Sequence, residues 1–195
     1  MLLFYVQLFS QEIVPLASVQ EIYSYQKDNN LLNEYIYIKD VNNILTEYLG
    51  KWNAVYNGKE YHFEFLKNTT GIKTSTGSGR TYKEDQLLMR FQIKEISSGN
   101  ILIDNFSSPL EKIPFGFDYL NKRLVNGQEV YGDYYYKLFY GGSNANCGDA
   151  GYIFISINNL SQMVFSFLPI QAVILEDCPG GSAFSIHDDF TLEKE

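Results

Sequence analysis

An all-β fold is what this sequence predicts, an antiparallel up-and-down barrel of about eight strands with a short N-terminal helix. Three observations lead there. The 195 residues include 16 Tyr and 14 Phe, residue types that favour strands over helices. Apolar and polar residues alternate with a period of two along several stretches. Turn dipeptides such as Asn-Gly separate those stretches.

Residues 1–11 read as a truncated signal peptide, because MLLFYVQLF is apolar apart from Gln7 and Ser10-Gln11-Glu12 offers a cleavage site near Gln11. No charged front end precedes the run, and a buried N-terminal strand is the other reading. The run falls short of the ~20 residues a membrane helix needs, so no transmembrane span is expected. Export to the periplasm, the cell surface or the medium is the expected localisation, with residues 12–195 as a single barrel domain. Leu31, Leu32, Tyr35 and Ile36 have helical spacing, and Ile44, Leu45 and Tyr48 continue it. That spacing predicts a short helix over 40–48, entered at Asp40 as N-cap and stopped by Gly50.

The stretch YLGKWNAVYNGKEYHFEFL, residues 48–66, predicts a hairpin turning at Asn57-Gly58. A two-residue turn fixes the register, so Tyr56 faces Lys59, Ala54 faces Tyr61, Trp52 faces Phe63 and Gly50 faces Phe65. The opposite face pairs Val55 with Glu60, Asn53 with His62 and Lys51 with Glu64. One face is aromatic and the other polar, as a half-buried hairpin requires. Gly50, Trp52, Asn57 and Gly58 are the structural residues of this element.

Residues 67–81, KNTTGIKTSTGSGRT, predict a loop. Strand signals resume at Leu87, where Met89, Phe91 and Ile93 alternate with Arg90, Gln92 and Lys94. Ser97-Ser98-Gly99-Asn100 turns the chain into ILIDNF. Pro109 and Pro114 frame an irregular segment, and Asn126-Gly127 marks a second hairpin. GDYYYKLFYGG has aromatic residues on both faces, which predicts a strand covered on both sides. A hairpin around Asn158-Asn159 would set Phe154 opposite Met163 and Tyr152 opposite Phe165. In the last segment Phe184, Ile186, Phe190 and Leu192 share one face, with Asp188 set among them.

Charge narrows the partners. With 15 basic against 23 acidic residues the formal net charge is −8, which repels a phosphate backbone, so nucleic acid is not an expected partner. Cys147 and Cys178 are an even pair, and in an oxidising compartment they would close a loop of about 31 residues worth about 3–4 kcal/mol. Two buried free thiols are the alternative. Candidate chemistry is sparse. His62 shares a strand face with Glu64, and His187 with Asp189, but a metal site would need both faces to meet. No metal, no cofactor and no catalytic residue is expected. The inward faces of the strands supply the candidate ligand-binding residues, Tyr61, Phe63, Tyr134 and Asp188. Asp188 is either a buried acid bonded to a ligand or the mark of a β-bulge.

Residues 40–68, DVNNILTEYLGKWNAVYNGKEYHFEFLKN, resemble the opening of a family of exported Bacteroidota proteins of unknown function, with a looser likeness through YKEDQLLMRFQIKEI. Gly50-Lys51-Trp52 is also similar to the first signature of lipocalins and other calycins, in which the Trp packs across the closed end of an eight-stranded barrel. Gly132-Asp133-Tyr134 matches part of their second signature. The third, a last-strand Arg stacked on the Trp, has no counterpart, since no Arg follows Cys147. The resemblance implies a lipocalin-like barrel in which Trp52 is a packing residue. Three functions are expected, in this order: a non-enzymatic barrel holding a small apolar molecule, a module with a filled core whose tyrosines around 131–140 contact another protein, and an enzyme built on the histidine–acid pairs. Oligomeric state stays open.

Overall fold

The alternating stretches form strands, and the sheets they build are mixed rather than wholly antiparallel. A computed structural model describes residues 12–16, 36–74, 81–109, 115–125, 128–140, 150–158, 160–169 and 190–195, with the backbone alone for 115–135. Its strands are β1 Glu12–Pro15, β2 Ile36–Lys39, β3 Gly50–Tyr56, β4 Lys59–Thr74, β5 Thr81–Glu95 and β6 Ile101–Asp104. The chain continues with β7 Phe115–Val125, β8 Gln128–Tyr140, β9 Gly151–Ile157, β10 Met163–Pro169 and β11 Phe190–Lys194. Among the described residues there are eleven strands, against the expected eight. Two compact units divide the chain, one of residues 1–44 and 69–85 and one of residues 45–68 and 86–195.

The first unit is the parallel one. β1 pairs with β2 from Glu12↔Ile36 to Pro15↔Lys39, and β2 pairs with β5 at Tyr37↔Lys83 and Ile38↔Glu84, both in parallel. The expected strict antiparallel pairing fails here because β1 and β2 are separate in sequence from the hairpins. The expected helix over 40–48 is also absent. Asn43 takes a positive φ of 55°, a left-handed conformation that an α-helix cannot contain. Asp40 does cap the chain, its Oδ1 accepting a hydrogen bond from Ile44 N at 2.7 Å, but the capped segment is only a four-residue 3-10 helix, Ile44–Glu47. The loop expected over 67–81 is strand as far as Thr74. Its β-branched Thr69, Thr70 and Ile72 suit a pleated backbone, and sheet pairing outweighs the glycine punctuation.

The second unit carries the antiparallel hairpins. Its strand order is β5-β4-β3-β11-β10-β9-β8-β7, with β6 beside β5, and β7 meets β5 again at Leu88↔Phe115. Every register pair of the first hairpin is as the Asn57-Gly58 turn predicts, from Gly50↔Phe65 to Tyr56↔Lys59. Asn57 at φ 45° and Gly58 at φ 72° give the left-handed pair a type I′ turn needs. Val125 pairs with Gln128, in keeping with the second Asn-Gly hairpin, although 126 and 127 lie outside the described residues. Around Asn158 the register differs from expectation: Met163 faces Ile157 and Phe165 faces Ile155. Phe154 therefore faces Ser166, and Tyr152 faces Leu168. An odd shift exchanges the two faces, so Ile153 and Ile155 are buried while Phe154 turns outward.

Candidate functional site

The inward face of the second unit brings aromatic rings together from several strands. On β4 Tyr61, Phe63 and Phe65 project alternately to one side, and on β5 Met89, Phe91 and Ile93 do the same. Phe165 of β10 and Phe190 of β11 meet them. Ring centroids lie 4.9 Å apart for Phe63 and Phe165, 4.9 Å for Tyr61 and Phe190, and 5.0 Å for Phe165 and Phe190. Phe63 and Phe91 are 6.0 Å apart, and Phe91 meets Tyr140 of β8 edge-on at 5.5 Å. These are contact separations for aromatic pairs. The Phe63–Phe165 contact joins β4 and β10, which are three places apart in the strand order. Nothing the size of a ligand fits between rings at such distances.

Two of the four expected ligand-binding residues, Tyr61 and Phe63, belong to this cluster and are fully buried. Tyr134 lies in β8, where the backbone alone is described, and Asp188 lies outside the described residues. Tyr61 is the polar exception in the cluster. Its Oη is buried without a hydrogen-bond partner. Burial first, and the neighbouring Tyr56 second, push its pKa up to about 12.

Trp52 belongs to the same strand face of the first hairpin, opposite Phe63. It is buried, and its Nε1 donates to Tyr48 O at 2.9 Å just past the 3-10 helix. Lys194 of β11, in register with Trp52, places its Nζ over the indole, 5.1 Å from the ring centroid, and donates to Glu47 O at 3.5 Å. A lysine of the last described strand thus covers the indole. The signal in the sequence is a cation two residues beyond Leu192, and the register that sets it against Trp52 is not legible locally.

His62 meets other partners on the outer face of the hairpin. His62 Nδ1 is 2.7 Å from Asn53 Oδ1, and its Nε2 is 3.4 Å from Glu60, whose other carboxylate oxygen meets Lys94 at 3.6 Å. This is a half-exposed surface network on the outer face of the hairpin, with Glu60 in the place expected of Glu64. His187 and Asp189 lie outside the described residues, as do Cys147 and Cys178. Among the described residues no group of three His, Cys, Asp or Glu could hold a metal ion. No helix there is long and apolar enough to cross a membrane.

Of the tyrosines expected to face outward near 131–140, Tyr131, Tyr134 and Tyr135 have no described side chain. Tyr136 and Tyr140 are buried, and Tyr136 Oη accepts from Leu87 N at 3.3 Å. The outer face here carries instead Phe139, Tyr152, Phe154 and the exposed Leu168. Phe139 lies 5.9 Å from Tyr152, and Lys137 Nζ stands 4.6 Å from the Tyr152 centroid. In the first unit Asp85 is buried and accepts from Tyr37 Oη at 2.6 Å and from Asp40 N at 3.0 Å. Burial and then the Asp85 carboxylate push the Tyr37 phenol up to about 12.

Comparison of the chain with protein-family models found no match, and comparisons with curated proteins and with solved structures found none.

Proposed function

We propose that the chain is an exported, non-enzymatic binding module, a lipocalin-like barrel with a filled core that meets a protein partner through its outer face. The contact between Phe63 and Phe165 at 4.9 Å carries this reading, because a ring bridge across the interior leaves the outside for recognition. The barrel proposal is supported by strand neighbours that follow sequence order from β7 to β11, then β3 to β5, with a return at Leu88↔Phe115. Lys194 over Trp52 supports the calycin-like arrangement. Its contact surface is the aromatic strip of Phe139, Tyr152, Phe154 and Leu168, since aromatic residues are enriched at interfaces and Leu168 is 47% exposed. Kinship with the exported Bacteroidota family goes with this reading.

Export carries the disulfide with it. Tyr140 pairs with Gly151 and Gly151 with Pro169, so the segments that hold Cys147 and Cys178 leave neighbouring strands at one end of the sheet. Thiol titration of the denatured, unreduced protein should find no free thiol.

A second reading, a small molecule held inside, is favoured by one observation, the unpartnered Tyr61 hydroxyl. Native mass spectrometry separates the two. Protein isolated without denaturation should carry no stoichiometric small molecule, and Tyr152→Ser with Leu168→Ser should abolish capture of the partner without unfolding the chain. A co-purifying molecule released by Tyr61→Phe would transfer the function to the interior.

A further inference from the structure

Lys39 and Lys83 sit on neighbouring parallel strands of the first unit, and both extend over one aromatic ring. Lys39 Nζ lies 5.9 Å and Lys83 Nζ 5.6 Å from the centroid of Tyr37. The register explains the convergence: Tyr37 pairs with Lys83 across β2 and β5, and Lys39 stands two residues on along the same face of β2. Both lysines are exposed, and neither ammonium group forms an ion pair or a hydrogen bond with a described residue. In a chain of net charge −8, two ammonium groups thus approach one ring.

The ring between them is fixed rather than loose. Tyr37 Oη donates to Asp85 at 2.6 Å, and the other Asp85 oxygen is tied to Asp40 N at 3.0 Å. Asp85 and Asp40 are 1% and 4% exposed, so the carboxylates of this cluster are buried while the two lysines are exposed. From β1, Ile13 stands in register with Tyr37 and is 54% exposed, an apolar neighbour on the same sheet face.

We infer that this face binds a small organic anion, with its carboxylate, sulfate or phosphate group between Lys39 and Lys83 and its apolar body against Ile13 and Tyr37. Bringing two like charges together is unfavourable, and an exposed ring offsets that only in part. An anion offsets it further. The long lysine stems can close on one group, while the anchored phenol holds the platform for the rest of the ligand. Nothing in this inference depends on whether the barrel interior is filled.

Titration of the full chain with phenyl phosphate, monitored by backbone amide NMR, tests it. Saturable shifts are expected at residues 13, 14, 37–39 and 83–85, weakening as ionic strength rises. Lys39→Ala and Lys83→Ala should each weaken binding about threefold to fivefold, and the double variant about tenfold, as for exposed ion pairs. Lys51→Ala, on an exposed lysine of the other unit, should change nothing. Inorganic phosphate should bind at the same residues but more weakly, which reads the apolar contribution. Shifts spread evenly over all lysines, or equal affinity in the double variant, would overturn the inference.

Discussion

Two hairpins of the second unit begin their turns with asparagine, and they obey different rules. At Asn57-Gly58 both residues take positive φ, the loop has two residues, and the register is set by that alone. At Asn158 the asparagine side chain takes over. Its Oδ1 accepts from Leu160 N at 2.9 Å and from Gln162 N at 3.0 Å, while Asn158 N donates to Gln162 O. Ser161 then supplies the left-handed residue at φ 59°. The loop runs from 158 to 162 and shifts the register by an odd number of places. Glycine in the second position makes the short turn easy to form, whereas a second asparagine leaves the side-chain-nucleated loop in competition.

Truncating the anchor of the well-specified hairpin gives the largest expected effect. Trp52→Ala removes a fully buried indole and should cost about 3–5 kcal/mol in equilibrium denaturation. A loss below about 1 kcal/mol would show that Trp52 is not a core residue. The comparable test in the other hairpin is an addition. A Cβ on Gly151 would lie 2.4 Å from the Phe167 ring and 2.6 Å from Leu168 O. Gly151→Ala should therefore cost about 1–3 kcal/mol by overpacking, and an unchanged midpoint would mean that β10 slides freely against β9.

The same contrast governs how much of the molecule is legible in its sequence. Strand identity and inward face are readable wherever a glycine turn or a strict alternation sets them, as in Trp52, Phe63, Met89, Phe91, Phe190 and Leu192. The parallel pairs β1–β2 and β2–β5 are not, because nothing local records which distant strand a segment joins. The convergence of Lys39 and Lys83 on Tyr37 is hidden for that reason. Of the candidate site, Tyr61 and Phe63 do lie on the inward face, as their alternation predicts. That they touch rings of strands distant along the sheet order depends on contacts that no single-strand pattern contains.

Tyr61 tests the filled core more finely. Its unpartnered hydroxyl carries a desolvation cost of about 1–3 kcal/mol, so Tyr61→Phe should leave stability unchanged or raise it by about 1 kcal/mol near neutral pH. A clear loss would reveal a partner for the hydroxyl. The sign with pH is set by the raised pKa. Folding holds Tyr61 and Tyr37 protonated, each pushed up to about 12 from the ordinary phenol value of 10.0, so their contribution is whole below pH ~10 and is lost as pH climbs through the folded values. Wild-type stability should fall steeply between pH ~10 and ~12, and less steeply in Tyr61→Phe. Denaturation midpoints measured across that range, with phenolate absorbance, decide it.

The smallest expected effects return to the turns, where they should carry opposite signs. Gly58 at φ 72° has open space around an added Cβ, so Gly58→Ala meets no clash and incurs only the left-handed backbone cost, about 1 kcal/mol. Ser161 at φ 59° already bears that cost, and Ser161→Gly relieves it. Glycine also gains freedom in the unfolded chain, which cancels part of the relief. The net gain should be a few tenths of a kcal/mol, on the order of 0.5. Paired denaturation curves in one buffer resolve the signs. If Ser161→Gly destabilised as much as Gly58→Ala, the left-handed residue would not be the costly part of the longer loop, and the Asn158 side-chain bonds would have to carry its register.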